Sequence, residues 1–473
     1  MAYNHQNNNH DEVVVVMVPL PAQGHLNQLL HLSRLISTYN MPVHFVGTPN
    51  HNRQAKLRVH GWDQTSSDAK NTIHFHDFIV PPFVCPAPNP DAPSKFPSHL
   101  LPTFEATTHL RHPVAALLRK LASQTRRVVV IHDSLMASVI QDVGSIANSE
   151  SYTFHSVSAF AVFLYLWEGI GCPPELQGVQ VKSKIPDNVP SLEDCFPDEF
   201  MNFIVAQYEY TGYNSGNIYN ASRTIEGEYV DLLNKLGDDK KHWAVGPFNP
   251  VSVPEKNGKR HACLEWLDEQ EPNSVIYVSF GTTTCMKDEQ IRELAIGLEQ
   301  CNHKFIWVLR DADKGDLFMD GDQVRKAELP KGYEERVKER GVVVRDWAPQ
   351  LDILSHKSTA WFLSHCGWNS CMESLTLGVP IACWPMHSDQ PRNTVLVTKV
   401  LKVGVVMRDW ERRNELVTSS IVTDGVHKLM ASSGEVDVIR KKARELGAAV
   451  RGSMVEGGGS HMELSSFVAH ITR

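Results

Sequence analysis

The sequence predicts a two-domain α/β protein in which each half is a doubly wound, parallel sheet. Three observations lead there. The chain has 473 residues, roughly two to three times a usual domain. Short β-branched runs alternate with helical segments in both halves. Between the halves, around Pro247 to Arg260, Gly, Pro, Asn and Lys crowd together without apolar periodicity, as in a linker. The expected boundaries are 1–246 for the N-terminal domain, 247–262 for the linker and 263–455 for the C-terminal domain. A last helix, 456–473, is expected to pack back on the first domain.

Each element has its own signal. Val13 to Val18 is a β-branched run that reads as a strand buried on both faces. The turn Pro19-Leu20-Pro21-Ala22-Gln23-Gly24-His25 follows, and then Leu26, Leu29, Leu30, Leu32, Leu35 and Ile36 recur at helical spacing. A second strand, Val43 to Gly47, completes a strand–helix–strand opening, which requires a parallel crossover. Pro81 to Pro102 is a Pro-rich irregular insertion, a loop length that goes with function or disorder. Val128 to Ile131 is a strand ending at His132-Asp133. After the linker, strands are expected at Val275 to Phe280, Phe305 to Leu309, Val342 to Val344, Trp361 to Ser364 and Pro380 to Cys383, with a helix over Asp288 to Cys301.

Composition excludes several classes. Apolar residues at 42% and charged residues at 21% suffice for two cores and rule out disorder or coiled coil as the main architecture. The net charge is −8, from 46 Lys+Arg against 54 Asp+Glu, with no basic stripe to sit on phosphate backbones. Nucleic acid is therefore excluded as the main partner. Nine scattered cysteines without a CxxC pair fit a reducing compartment. The polar, Asn-rich start has no signal-peptide pattern, and the longest apolar runs fall well short of the ~18 residues that span a bilayer. The expectation is a cytoplasmic monomer without a membrane partner, in which the sequon Asn220-Ala221-Ser222 is accidental.

The chemistry is concentrated between Trp347 and Gln390. Trp361 to Ser364 feeds a glycine-containing turn, His365-Cys366-Gly367, that opens a helix at about Asn369. The first N–H groups of such a helix have no internal partner and the positive dipole end lies behind them, so the turn is a seat for a pyrophosphate. His365 adds a donor, and Asn369 and Ser370 are short enough to reach an oxygen. Glu373 and Asp389-Gln390 offer acceptors for sugar hydroxyls. Singly, Trp347 and Trp368 read as core aromatics. His356, His365, Cys366 and His387 have no metal-ligand spacing, so no metal is expected. There is no G-x-G-x-x-G after the first strand and no G-x-S-x-G, against a dehydrogenase and an α/β-hydrolase.

Position along the chain also marks two residues in the first half. His25 opens the first helix at the C-terminal sheet edge, where doubly wound folds bind ligands. The helix N-terminus is expected to lower its pKa and keep the imidazole basic near neutrality. Asp133, at the end of a neighbouring strand, can hold the other ring nitrogen, as in the His–Asp half of a triad. By position alone, His132 rivals it.

The block Trp347-Ala348-Pro349-Gln350 … His365-Cys366-Gly367-Trp368-Asn369-Ser370 … Glu373 … Asp389-Gln390 resembles the 44-residue signature of plant family-one UDP-sugar glycosyltransferases at nearly every defining position. The resemblance implies a GT-B fold, two facing Rossmann-like domains with the donor held by the second. It implies that Trp347 stacks on uracil while Ala348 holds the base edge, and that Gln350 and Glu373 hold the ribose. His365, Gly367, Asn369 and Ser370 would hold the diphosphate, joined by Thr282 or Thr284 from the loop Ser279-Phe280-Gly281-Thr282. Trp368, Asp389 and Gln390 would contact the hexose. His25 and Asp133 match the family's base and its supporting aspartate.

The implied reaction is inverting, metal-independent transfer of a sugar from a UDP-sugar to a hydroxyl of a small acceptor, without a cofactor. Gln390 resembles the family's glucose users, so UDP-glucose is the expected co-substrate, with UDP-xylose the alternative. His387 departs from the aromatic many members carry there. Met386 to Asn393, His74-Phe75-His76, Phe96 to Leu100, Asp133 to Ser138 and Asp311 to Gly315 look like the zeatin O-glycosyltransferase branch, which implies a cytokinin acceptor. Flavonoids or other phenols fit the same description, and a silent UDP-sugar binder is the reading from another class. The Pro-rich insertion and the aromatics Phe160, Phe163, Tyr165 and Trp167 read as an apolar pocket for a planar acceptor, or the aromatics as simple core.

Overall fold

In the computed structural model, the described residues are 12–58, 73–236, 240–251, 260–310, 327–431 and 434–473. The central part of the expected linker and the segment Asp311 to Gly315 lie outside them. The N-terminal sheet comprises β1 (Val13–Val18), β2 (Val43–Gly47), β3 (Ile73–Asp77), β4 (Arg127–Asp133), β5 (Ser149–His155), β6 (Asn214–Tyr219) and β7 (Lys241–Ala244). Its order is β3-β2-β1-β4-β5-β6-β7, and every pairing is parallel. The C-terminal sheet comprises β8 (Val275–Ser279), β9 (Lys304–Val308), β10 (Gly341–Val344), β11 (Thr359–Ser364), β12 (Ile381–Cys383) and β13 (Gly404–Val406). It repeats the pattern, β10-β9-β8-β11-β12-β13, also all parallel.

Both sheets thus have the 3-2-1-4-5-6 order of a Rossmann fold, and in each the order reverses beside the first strand. The crevice that forms there opens between β1 and β4 in one domain and between β8 and β11 in the other. These four strands carry the β-branched and aromatic runs because they are central: β1, β8 and β11 are buried along their whole length, and β4 at all but its first residue.

Seven helices matter for the site: α1 (Gln23–Ser37), α2 (Ala159–Gly169), α3 (Asp198–Tyr208), α4 (Arg223–Leu233), α5 (Trp368–Leu377), α6 (Gln390–Val395) and α7 (Gly459–Ile471). The apolar stripe of α1 (Leu26, Leu29, Leu30, Ile36) lies in one core cluster with β1, β2 and the α7 residues Leu464, Phe467 and Ile471. Arg126 and Arg127 donate to the carbonyls of Thr472 and Arg473 that end the chain after α7. A second cluster joins Phe160, Phe163 and Tyr229 of α2 and α4 to Trp368, Met372 and Ile381 of the other domain, so the two halves share a core behind the cleft. Phe160 and Phe163 are therefore core, as one of their two readings had it. The sequon Asn220 is buried, and its side-chain oxygen accepts from the Phe248 N–H. Among the described residues, no helix is long and apolar enough to cross a membrane.

Candidate active site

The cleft between the domains holds about 1870 Å³ of empty space, its open mouth included. Residues of both domains line it, among them His25, Phe96, Trp347, His365 and Asp389.

On the N-terminal wall, β1 ends and the chain turns through Pro19 to Ala22 into α1, whose first turn carries His25. Its Nδ1–H donates to Asp133 Oδ2 at 2.6 Å. Asp133 ends β4 across the switch point, and its other oxygen accepts from the Leu135 N–H at 3.0 Å. The carboxylate has no exposure and the imidazole side chain has 22%, so the ring fronts the cleft and the carboxylate backs it. Fixing Nδ1 as donor leaves Nε2 as the acceptor available to a ligand. His132 is no rival: its Nδ1–H donates to the Asp133 carbonyl and its Nε2 accepts from the Thr153 hydroxyl, away from the cleft.

One expectation is corrected here. Desolvation lowers the His25 pKa, but the Asp133 charge and hydrogen bond outweigh it, with help from Asp389, so the net shift is upward rather than downward. A buried carboxylate in contact outweighs a helix dipole.

Beyond His25 this wall is apolar. Phe96, Pro97 and Leu100 of the Pro-rich insertion meet Phe196 and Phe200 at the start of α3, with Phe96 and Phe200 centroids 4.5 Å apart. Tyr165 and Val162 of α2 complete it, whereas Trp167 points elsewhere, donating to the Pro173 carbonyl at 2.8 Å.

On the C-terminal wall, β11 ends at Ser364, and Cys366 takes a left-handed φ of 65° before α5 begins at Trp368. Ser364 Oγ accepts from the Cys366 N–H at 3.1 Å and pins this turn. His365 sits between Gly281, itself left-handed, and Gly367. A Cβ on either glycine would come within 2.6 Å of the imidazole, so both must be glycine. Burial drives the His365 pKa down to about 4, so the ring is neutral.

Thr282 lines the cleft, together with Thr283. Thr284 is buried and does not line it; with Met286, Ile291 and Trp307 it lines a small adjoining cavity. Of the two threonines named from the sequence, Thr282 is the one on the cleft wall.

The expected ribose pair is in direct contact. Gln350 Nε2 donates to Glu373 Oε2 at 2.7 Å and to Ser370 Oγ at 3.1 Å, and its Oε1 accepts from the Tyr277 hydroxyl at 3.1 Å. Burial raises the Glu373 pKa to about 7 against the Gln350 hydrogen bond. Trp347 and Ala348 lie at the same end of the cleft, with the Arg310 guanidinium 5.4 Å from the Trp347 ring centre. Tyr277 and Arg310 had no motif to mark them.

Asn369 and Trp368 of the block bond to the other domain. The Asn369 side-chain N–H donates across the cleft to the Gly24 carbonyl at 2.8 Å. Trp368 is 3% exposed and its Nε1–H donates to the Asn220 carbonyl at 2.8 Å.

Asp389 and Gln390 open α6 at the other end. Burial raises the Asp389 pKa to about 6, and Asn393 Nδ2–H donates to its Oδ2 at 2.8 Å. Gln390 Oε1 accepts from the Met386 and His387 N–H groups and shapes the loop. His387 meets both walls: its Nδ1 is 2.7 Å from Ser388 Oγ, and its ring stands edge-on to Phe96 at 5.8 Å between centres. Among the described residues, no group of three or more His, Cys, Asp or Glu side chains is arranged to hold a metal.

Two Rossmann-like domains facing each other across a cleft, with a His–Asp pair on one wall and a helix N-terminus on the other, form the GT-B architecture of a glycosyltransferase. The chain belongs to the UDP-glycosyltransferase family. The model of the glycosyltransferase N-terminal domain matches residues 11–250, and that of the UDP-glucoronosyl and UDP-glucosyl transferases matches residues 253–418. Among curated relatives, zeatin O-glucosyltransferase of Phaseolus lunatus is 58% identical over the whole of both chains. Zeatin O-xylosyltransferase of Phaseolus vulgaris is 55% identical over 98% of this chain and 99% of that one. A Siraitia grosvenorii transferase solved with UDP superimposes with a TM-score of 0.75 at 24% identity, covering 98% of this chain and 100% of that one, which speaks for the fold alone.

Proposed function

We propose that the protein transfers glucose from UDP-glucose, with inversion, to the side-chain hydroxyl of a zeatin-type cytokinin, acting as a cytoplasmic monomer. The observation that carries the mechanism is the 2.6 Å contact between His25 and Asp133 at the cleft wall that faces the anion seat. Neutral His25 takes the acceptor proton through Nε2 as the oxygen attacks the anomeric carbon. Asp133 keeps the tautomer and stabilises the imidazolium that forms.

The departing UDP is met by the first N–H groups of α5, the Thr282 hydroxyl and neutral His365, donors that carry the charge without a cation. Trp347 and Ala348 hold the base, Gln350 and Glu373 the ribose, and Asp389 and Gln390 the hexose. Asn369 reaches the diphosphate by its backbone N–H, since its side chain is held by Gly24. Turnover is therefore expected to be unchanged in excess EDTA; loss of activity restored by Mn²⁺ would contradict this reading.

The acceptor reading is supported by the identity to the zeatin enzymes, at 58% and 55%. The Phe96–Phe200 wall suits a flat ring, and monomeric action is consistent with one chain supplying both walls. Mass spectrometry of products from UDP-glucose and UDP-xylose, each with zeatin and with a flavonoid mixture, tests donor and acceptor together. A zeatin O-glucoside as main product is expected. A xyloside would overturn the donor, a flavonoid glucoside alone would overturn the acceptor, and UDP-sugar binding without any product would leave a silent binder.

A further inference from the structure

Helix α2 of the N-terminal domain is fastened at both ends to α6 of the C-terminal domain. At its start, the N-cap Ser158 accepts from the Ala161 N–H at 3.1 Å, which leaves its own hydrogen to donate to Asn393 Oδ1 at 2.8 Å. At its end, Glu168 accepts from Arg392 Nη2 through both carboxylate oxygens at 2.7 Å. The Arg392 guanidinium also lies 4.7 Å from the ring centre of Tyr165, a residue of the acceptor wall.

The Asn393 amide is the centre of this clasp. Its Nδ2 donates to the Cys366 carbonyl at 2.9 Å, in the turn that opens the anion seat, and to Asp389 Oδ2 at 2.8 Å. Ser158 is the partner on its oxygen. Ser158 and Asn393 both have no exposure, so no water replaces a lost partner without opening the structure. Glu226 of α4 holds the same end of α2, accepting from the Phe160 N–H at 2.9 Å, so Ser158 is presented on a fixed helix start.

We infer that Asn393 is a positioning residue for the transferred sugar, holding the Asp389 carboxylate in register with the diphosphate turn only while Ser158 of the opposite domain is docked on it. The clasp thereby ties the sugar-contacting loop to the closed cleft. With Ser158 removed, Asn393 Oδ1 loses its donor, Asp389 loses its fixed orientation, and the closed state loses a contact that keeps water from the anomeric carbon. Water then competes with the acceptor: the bond from C1 to the UDP oxygen breaks, a bond from C1 to a water oxygen forms, and the water's proton passes to solvent. Free sugar and UDP result. The inference rests on the assignment of Asp389 to the hexose.

The test measures glucoside and total UDP release separately for the full chain with UDP-glucose, with and without zeatin, alongside the affinity for UDP alone. For Ser158→Ala, loss of the bond to Asn393, beside the helix cap, predicts that the ratio of hydrolysis to transfer rises about three- to tenfold. Asn393→Ala, which removes three bonds, is expected to raise it further. UDP affinity is expected within about twofold of wild type in the Ser158 variants, whose side chain bonds neither the Cys366 turn nor the nucleotide end of the cleft. Ser158→Thr keeps the hydroxyl and is expected to restore the wild-type ratio. Ser158→Gly keeps most of the capping and carries the test if the alanine variant folds poorly.

An unchanged ratio in both Ser158→Gly and Asn393→Ala overturns the clasp, as does a UDP affinity that falls in step with turnover in the Ser158 variants. A wild type that forms no zeatin glucoside overturns the acceptor reading instead. The clasp is then judged on UDP release without acceptor, which must rise in the variants.

Discussion

The two domains share a strand order and put their loops at the same switch point, yet their crevices carry opposite chemistry. In the N-terminal domain the loops after β1 and β4 bring an imidazole onto a buried carboxylate, and the net effect is a raised pKa. In the C-terminal domain the loops after β8 and β11 enclose an imidazole between two glycines, and burial drops its pKa to about 4. The same backbone frame thus holds a carboxylate-paired imidazole on one side and a neutral, buried one on the other. What decides is the nearest partner, a carboxylate or bare backbone, rather than the fold.

The largest effect should come from the wall that does proton chemistry. His25→Ala is expected to lower kcat by about 10²–10⁴, the usual worth of general-base assistance. Retention of more than about a tenth of the wild-type rate would remove His25 from that role.

Asp133→Asn sharpens the contrast through pH. His25 acts in its neutral form, so kcat/KM falls as pH drops through its raised pKa. Loss of the Asp133 charge removes the main raising cause and leaves desolvation, so the acidic limb should move to lower pH while the rate falls about tenfold or more. A limb that stays in place would mean that another group titrates.

On the opposite wall, Tyr277→Phe frees Gln350 from one of its partners and should weaken UDP affinity about two- to tenfold, leaving the pH profile alone. Equal UDP affinity in the variant would take Tyr277 out of the nucleotide seat.

His387 is where the walls meet, between Gln390 and Phe96. His387→Phe is expected to change the kcat/KM ratio of UDP-glucose over UDP-xylose by about two- to tenfold. If the donor ratio holds while acceptor KM moves, the residue belongs to the Phe96 side.

These walls were not equally legible in the sequence. β1, β8 and β11 announce themselves because a strand buried on both faces must be apolar throughout. β5, β6 and β7 do not, because their buried polar side chains satisfy one another: His155 pairs with Asn217 at 3.1 Å and Tyr219 with His242 at 2.9 Å, so the strands read as polar sequence. The donor seat was legible because it is one contiguous block around a strand–turn–helix. The apolar wall was legible in part: the Pro-rich insertion that holds Phe96, and Tyr165, read as a pocket, whereas Phe200 comes from a third, separate segment without a motif. A run of threonines does not tell which of Thr282 and Thr284 lines the cleft, and Tyr277 was hidden inside an ordinary apolar strand.

The central claim is that proton transfer and nucleotide binding reside on opposite walls. Calorimetric titration of UDP into His25→Ala, run beside its transfer rate, tests it most directly. The expected result is a Kd within about twofold of wild type with turnover reduced at least about a hundredfold. A Kd that weakens in proportion to the lost rate would contradict the division, since the imidazole would then be part of the nucleotide seat.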